Sequence, residues 1–461
     1  MQSCHFTGIA IARKIGGPAL RALTFHERAA MLKAIALYLD AHKKELYALA
    51  ADTGATRRDN WIDIEGGTAT LFAYASRGRK ELPSEGFVID GETEGLSKNG
   101  TFIGRHILTP LTGVAIHINA FNFPCWGMLE KLAPAILAGM PVITKPATAT
   151  AYVAEAAIRL IVTSGILPPG ALQFVGGSVG DLFDHLTGQD VVSFTGSAGT
   201  SETLRNHPVI SRNAVRFIAE RDSLNAAVLG PDAVPGTPEF DLFVKEVVRE
   251  MTVKAGQKCT AIRRIFVPRA IESDVQNALR AALAKFIPAD PRLEDTRMGA
   301  LASVSQRNAV CEAINTLAGE AEIVHGNTAP AGGADAFFAP VLLRCADPLK
   351  ATKVHTVEAF GPVATLMPYD TLDDAVELVR KGEGSLVASI YSYDTAVADH
   401  LIFGLAPYHG RLLVLDRDCA KESTGHGSPL PALVHGGPGR AGGGEELGGL
   451  RGVFHYMQRT A

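Results

Sequence analysis

Between residues 23 and 51 the apolar positions return every three or four residues, at Met31, Ile35, Leu39, Leu46 and Leu49. That is the spacing of one buried helix face, and Gly54, just after Thr53, closes the pattern as a C-cap does. Beyond Gly100 the period shortens. Residues 101–108 and 113–118 read as short strands, followed by a strand at 141–144, a helix over 149–163 and strands at 172–175 and 191–195. Alternation of this kind predicts an α/β fold, a parallel sheet with helices on its faces. A second series follows Cys259, with strands at 264–268, 363–369, 386–392 and 411–415 and helical stretches such as 271–285 between them. Two α/β units are therefore expected. The glycine-rich stretch 435–450 cannot be a regular element, and 453–459 reads as a terminal strand. Neither a fixed-period repeat nor a low-complexity tail is visible.

Length and composition narrow the class. A chain of 461 residues exceeds what one hydrophobic core supports, so two or three domains are expected. Hydrophobic residues make up 47%, and 44 basic residues nearly balance 48 acidic ones, which excludes a disordered chain. A net charge of -4 gives no basic footprint for nucleic acid or anionic lipid, so an anionic ligand must be held by local geometry. The six cysteines, Cys4, Cys125, Cys259, Cys311, Cys345 and Cys419, include no CxxC pair and no histidine at metal spacing. Neither a disulfide framework nor a metal site is expected, and a reducing cytoplasm is the default. Residues 107–129 lack Asp, Glu, Lys and Arg, but two prolines, His117, Asn119 and Asn122 make them a poor membrane span. Residues 1–10 lack the basic-then-apolar pattern of a secretory signal.

Candidate chemistry lies at a few places. One GxGxxG occurs, at Gly437-Pro-Gly439-Arg-Ala-Gly442, but more glycine follows it where a dinucleotide fingerprint needs a helix to open. A better phosphate candidate is Phe194-Thr195-Gly196-Ser197-Ala-Gly-Thr, where a strand runs into small residues and then a helical pattern. Free amides at that helix start suit a pyrophosphate, although an ordinary turn capped by Ser197 explains the residues equally well. Cys259, in Gly256-Gln-Lys-Cys259 just past the helix expected over 243–254, has a glycine and a lysine nearby and so fits a reactive thiolate better than a core cysteine. Asn119-Ala-Phe-Asn122-Phe-Pro124 is a bend after a strand. Phe217-Ile-Ala-Glu220 ends an apolar strand in a carboxylate, where desolvation would make a useful base. Taken singly, each has a plainer reading: a core thiol, a turn asparagine, a solvated strand end.

Together and in order, these segments resemble the aldehyde dehydrogenase superfamily from about Gly17 to the end. The resemblance rests on Asn-Phe-Pro at 122–124, Thr-Lys-Pro-Ala at 144–147, Phe-Thr-Gly-Ser at 194–197, Gly-Gln-Lys-Cys at 256–259 and Glu-Ala-Phe-Gly-Pro at 358–362. It implies that Cys259 attacks the aldehyde carbon while the Asn122 amide and the Cys259 N–H hold the oxyanion. Such preorganised donors contribute ~3 kcal/mol to barrier lowering. Glu220 would then activate the water that hydrolyses the thioester. On the cofactor side it implies Lys145 at the adenosine ribose, Thr195, Gly196 and Ser197 near the pyrophosphate, Glu358 at the nicotinamide ribose and Phe360 beside the ring. NAD-preferring members often carry a glutamate three residues after the lysine. Here that residue is Thr148, which tolerates a 2′-phosphate, so NADP is the expected cofactor and NAD the alternative.

More narrowly, residues 118–127, 220–225, 249–259 and 435–448 are similar to the dehydrogenase half of the bifunctional proteins of phenylacetate degradation, and similar sequences serve the aerobic benzoyl-CoA route. The implied substrate is a CoA-linked semialdehyde. The chain stops at Ala461, where the hydratase half would begin, so a separate hydratase partner is expected. Residues 1–15 depart from the family pattern, and Arg221 is expected to lower the proton affinity of Glu220. The implied architecture is a Rossmann-type cofactor domain (1–96 and 113–223), an α/β catalytic domain (224–445) and a small strand flap (97–112 and 446–461) that pairs subunits into a homodimer or larger homo-oligomer. Two other classes compete. A cysteine thioester hydrolase requires a histidine near the thiol, for which His426 and His435 are open candidates; an inactive fragment surviving as a binding module requires nothing of the site.

Overall fold

The computed structural model describes residues 4–328, 335–444 and 448–461. The long predicted helix is present as Phe25–Ala50, opened by a capping box in which Thr24 and Glu27 satisfy each other's backbone N–H groups. A short turn follows it and is closed by Gly54 in the left-handed conformation (φ 80°). The helices Gly66–Glu81 and Trp126–Ala138 pack with it over one face of the first sheet. The second is buried almost all round, which erased the period that would have announced it.

Three sheets occur among the described residues. The first contains β3 (Ala115–Asn119), β4 (Val142–Pro146), β5 (Leu172–Phe174), β6 (Val191–Thr195) and β7 (Arg216–Glu220), after β1 (Val88–Gly95) and β2 (Ile103–Pro110). Its order is β5-β4-β3-β6-β7, with every pair parallel. Strand order reverses between β3 and β6, and a crevice opens at the carboxyl ends of strands at such a switch point. Asn122 and Ser197 lie on the two segments that leave those ends. Residues 4–21 are helical. Ile9 and Ala12 join Ile116, Ile143 and Val192 in a core cluster, so they cover a face of this sheet.

The second sheet holds β8 (Ala226–Leu229), β9 (Arg264–Pro268), β10 (Glu322–His325), β11 (Val341–Arg344), β12 (Val363–Tyr369), β13 (Ser385–Tyr391) and β14 (His409–Leu415), in the order β10-β11-β12-β9-β8-β13-β14. The β10–β11 pair is antiparallel and the remaining pairs are parallel. Strands β8, β10 and β11 have four residues each, too few to show a period.

The flap sheet is β1-β2-β15, with β15 at Met457–Thr460. Two expectations need correction here. The flap begins at Val88 rather than 97: β1 is exposed along most of its length, so it carries no apolar pattern to read. The terminal strand expected over 453–459 starts later, because Leu450–Phe454 is a helical turn that packs Leu450, Val453 and Phe454 into the core beside the helix Trp126–Ala138. The expected boundary at 445/446 lies outside the described residues.

Candidate active site

A groove of about 600 Å³ runs along the switch point, lined by Asn122, Lys145, Glu220, Cys259, Glu358 and Phe360. Thr195, Gly196 and Ser197 line it as well. Register explains part of this convergence, since β6 and β7 pair Thr195 with Glu220 and set the carboxylate beside the phosphate candidate. Thr148 is the exception. It sits on an exposed turn, Thr148–Thr150, and does not line the groove. Ser197 caps the helix Ala198–Arg205, accepting a hydrogen bond from the Thr200 N–H, so the capping reading and a place on the groove hold together.

Cys259 is positioned by a strained turn. After the helix Pro238–Thr252, Lys254 (φ 54°), Ala255 (φ 50°) and Gly256 (φ 67°) lie in the left-handed region, a conformation that persists only where surroundings enforce it. Only glycine fits at 256, because a Cβ there would stand 2.2 Å from the Gly361 carbonyl oxygen. Arg263 clamps the same contact, donating to Gly361 O (2.7 Å) and Gly256 O (2.8 Å). The Asn225 amide donates to Cys259 O at 2.7 Å and to Ala261 O at 3.0 Å. The Asn122 loop is tied from its far side by Asp63, whose carboxylate accepts from the N–H groups of Cys125 and Trp126.

Sequence reasoning left one site residue unresolved. His435 Nε2 lies 3.0 Å from Glu220 Oε2, with both side chains buried. The donor atoms of Cys259, Glu220 and His435 all fall within 4.8 Å of one another. His426, the other open candidate, is buried elsewhere against Ser389 and Glu246. Glycines bring His435 in: at Gly442 (φ 109°) a Cβ would meet the Ala219 carbonyl oxygen at 2.3 Å, so the segment lies flat on the end of β7. The GxGxxG thus serves close packing beside the carboxylate.

Electrostatics reverse two expectations. Burial alone would push the Glu220 carboxyl up, but the charge and hydrogen bond of His435, with Lys131 behind, hold it below its ordinary range. Burial likewise opposes the charge on His435, and Glu220 overcomes it, raising the imidazole. The cation acting on Glu220 is therefore His435 rather than Arg221, whose guanidinium donates to Gly439 O. Nor does Cys259 rest as a thiolate: burial first, then the Glu220 charge, pushes the thiol well up. Lys258, the expected counter-charge, is ion-paired to Glu250 at 2.7 Å. At the opposite wall, burial pushes the Glu358 carboxyl up to about 7 against the pull of Arg263, 3.5 Å away.

This arrangement brings a thiol, a carboxylate and an amide side chain together on a groove at the switch point of a doubly wound sheet. Comparison with known proteins agrees. The pattern of the aldehyde dehydrogenase family matches residues 7–406, and the chain belongs to that family. It is 49% identical, over 93% of its length and 84% of the relative's, to a 3,4-dehydroadipyl-CoA semialdehyde dehydrogenase of Aromatoleum evansii. It is also 54% identical to Protein MaoC of Klebsiella aerogenes over 36% of this chain and 49% of that one. Among solved structures, a betaine aldehyde dehydrogenase of Staphylococcus aureus in complex with NAD+ has the same fold (TM-score 0.84, 23% identity, covering 98% of this chain and 85% of that one). The protein is an oxidoreductase that acts on aldehydes. No helix among the described residues is long and apolar enough to cross a membrane.

Proposed function

We propose that the protein oxidises a CoA-linked semialdehyde to the carboxylic acid, using NADP by preference and NAD as the alternative. The observation that carries this is the meeting of Cys259 and Glu220, with His435 beside them, on a groove that also presents Asn122, Lys145 and Glu358. The groove suits a dinucleotide. Its size falls in the range of cofactor sites, and Glu358 Oε1 is a buried acceptor without a hydrogen-bond partner, as ribose hydroxyls require. Lys145, half-buried on β4, would take the adenosine ribose, with Gly196 and Ser197 at the pyrophosphate. When bound, the nicotinamide supplies the hydride acceptor.

Cys259 gives up its proton to solvent water in the groove, and its sulfur attacks the aldehyde carbon. The Asn122 amide and the Cys259 N–H stabilise the alkoxide, which expels hydride and leaves an acyl thioester. Glu220 then takes a proton from water as that water attacks the thioester carbonyl, and the thiol is regenerated. His435 keeps Glu220 ionised and oriented. A close histidine is also what a thioester hydrolase needs, but this one faces Glu220, and hydrolysis is the half-reaction the two readings share.

The Aromatoleum relative supports 3,4-dehydroadipyl-CoA semialdehyde as the substrate over the phenylacetate-route semialdehyde. A hydratase, separate or linked, would act before this step in either route. Exposed Phe87, Ile89, Phe102 and Ile103 on and beside the flap support its use in a homo-oligomer. The deciding experiment measures kcat/KM for CoA-linked and free aldehydes with each cofactor. We expect CoA-linked substrates and NADP to lead; equal rates with free aldehydes, or a strong NAD preference, would refute the corresponding part.

A further inference from the structure

The cluster at the end of the groove has the composition of a metal site. A thiol sulfur, an imidazole nitrogen and a carboxylate oxygen lie within 4.8 Å of one another, and the nitrogen and oxygen are 3.0 Å apart. Glu220 is 1% and His435 2% exposed, and neither the Glu220 oxygens nor His435 Nε2 makes a hydrogen bond outside the cluster. These buried polar atoms share one small, desolvated space. Tetrahedral Zn2+ sets its donors about 3.3–3.6 Å apart, so the imidazole and carboxylate need hardly move and only the sulfur must close in. The donor set selects among metals: thiolate with imidazole suits zinc, whereas Mg2+ and Ca2+ require several oxygens. Lys131 opposes a cation here, but its charge is paired with Glu130 at 3.2 Å.

We propose that Cys259, Glu220 and His435 form a three-ligand Zn2+ site whose fourth position faces the groove, so that zinc switches the enzyme off reversibly. That binding inhibits turnover rests on Cys259 being the nucleophile; that zinc binds rests on the geometry alone. Binding releases the thiol proton and, when the imidazole is charged, one of its two protons; a neutral imidazole keeps its single proton, on Nδ1. No electron moves, so a chelator restores the free thiol. Because protons leave, affinity increases with pH.

The test uses the full chain without cofactor. Iodoacetamide alkylation of Cys259, followed by peptide mass spectrometry, should slow at least tenfold with one equivalent of Zn2+ and recover on adding EDTA. Mg2+ should have no effect, and Cys311 and Cys419 should react as before. His435→Gln, with its fold checked by thermal unfolding, should lose most of the protection. If that variant does not fold, Co2+ added to the unaltered chain decides instead: a thiolate-to-metal band with tetrahedral d–d absorption supports the site, and its absence refutes it. An unchanged alkylation rate with Zn2+, or full protection in folded His435→Gln, overturns the proposal. Neither readout requires turnover, so a chain that protects Cys259 yet oxidises no aldehyde would sink the dehydrogenase reading and leave the zinc site standing.

Discussion

The two ends of the groove are built on opposite principles. At the end we propose to be catalytic, Cys259, Glu220 and His435 are packed together with Glu130 and Lys131 close by, and each group's protonation is set by its neighbours. At the end we propose for the nucleotide, Gly196, Ser197 and half-buried Lys145 line the groove, and Thr148 is exposed. Interactions among buried charges are screened little, whereas those at an exposed residue are screened strongly. Substitutions should therefore act steeply at the first end and gently at the second.

The largest effect is expected for Cys259→Ala, which should lower aldehyde-dependent reduction of the cofactor about 10³-fold or more while leaving the unfolding temperature near that of the parent. Glu220→Gln comes next. It should preserve a rapid first turnover but slow the steady state about 10²- to 10³-fold, visible as a burst in stopped-flow absorbance. Loss of the burst itself would mean that Glu220 serves the first half-reaction.

His435→Gln tests whether the paired charges set the pH profile. His435 is raised above its usual 6.5 and Glu220 lowered below its usual 4.5, each mainly by the other once burial is overcome. The histidine's contribution to stability is complete below pH 6.5 and lost as pH rises through its raised value. The carboxylate's is complete above 4.5 and lost as pH falls through its lowered value. The stability lost in the variant should thus peak between these two values. In the parent, deacylation should speed up as His435 gives up its proton and Glu220 becomes a stronger base; the variant should lack that limb.

Smaller effects belong to the cofactor. Glu358 titrates near 7, so cofactor affinity should weaken as pH falls below about 7 and the carboxylate is neutralised. Glu358→Gln should flatten that dependence and raise KM for the cofactor roughly ten- to hundredfold, since a charged hydrogen bond contributes about 1.5–3 kcal/mol. Thr148→Glu should shift the NADP:NAD ratio of kcat/KM toward NAD by only about fivefold, because the exposed site is screened. A shift of a hundredfold would mean that the nucleotide end closes over its ligand, which would erase the contrast between the two ends.

Local chemistry was legible in the chain. The amphipathic helix over 25–50, the alternation of strands with helices, the glycine-bounded cysteine and the carboxylate at a strand end all arise from residues close in sequence, where period and turn chemistry act directly. Elements with no contrast between faces, such as exposed β1 or the wholly buried helix Trp126–Ala138, had no period to show. The charge state of the site was not legible either, because Lys258 beside the cysteine is neutralised by Glu250 while His435 reaches Glu220 from 215 positions away along the sequence. Sequence by itself determined which groups could do chemistry. Tertiary structure decided which of them share one desolvated space, and in such a space each proton's place depends on the whole set of neighbouring charges.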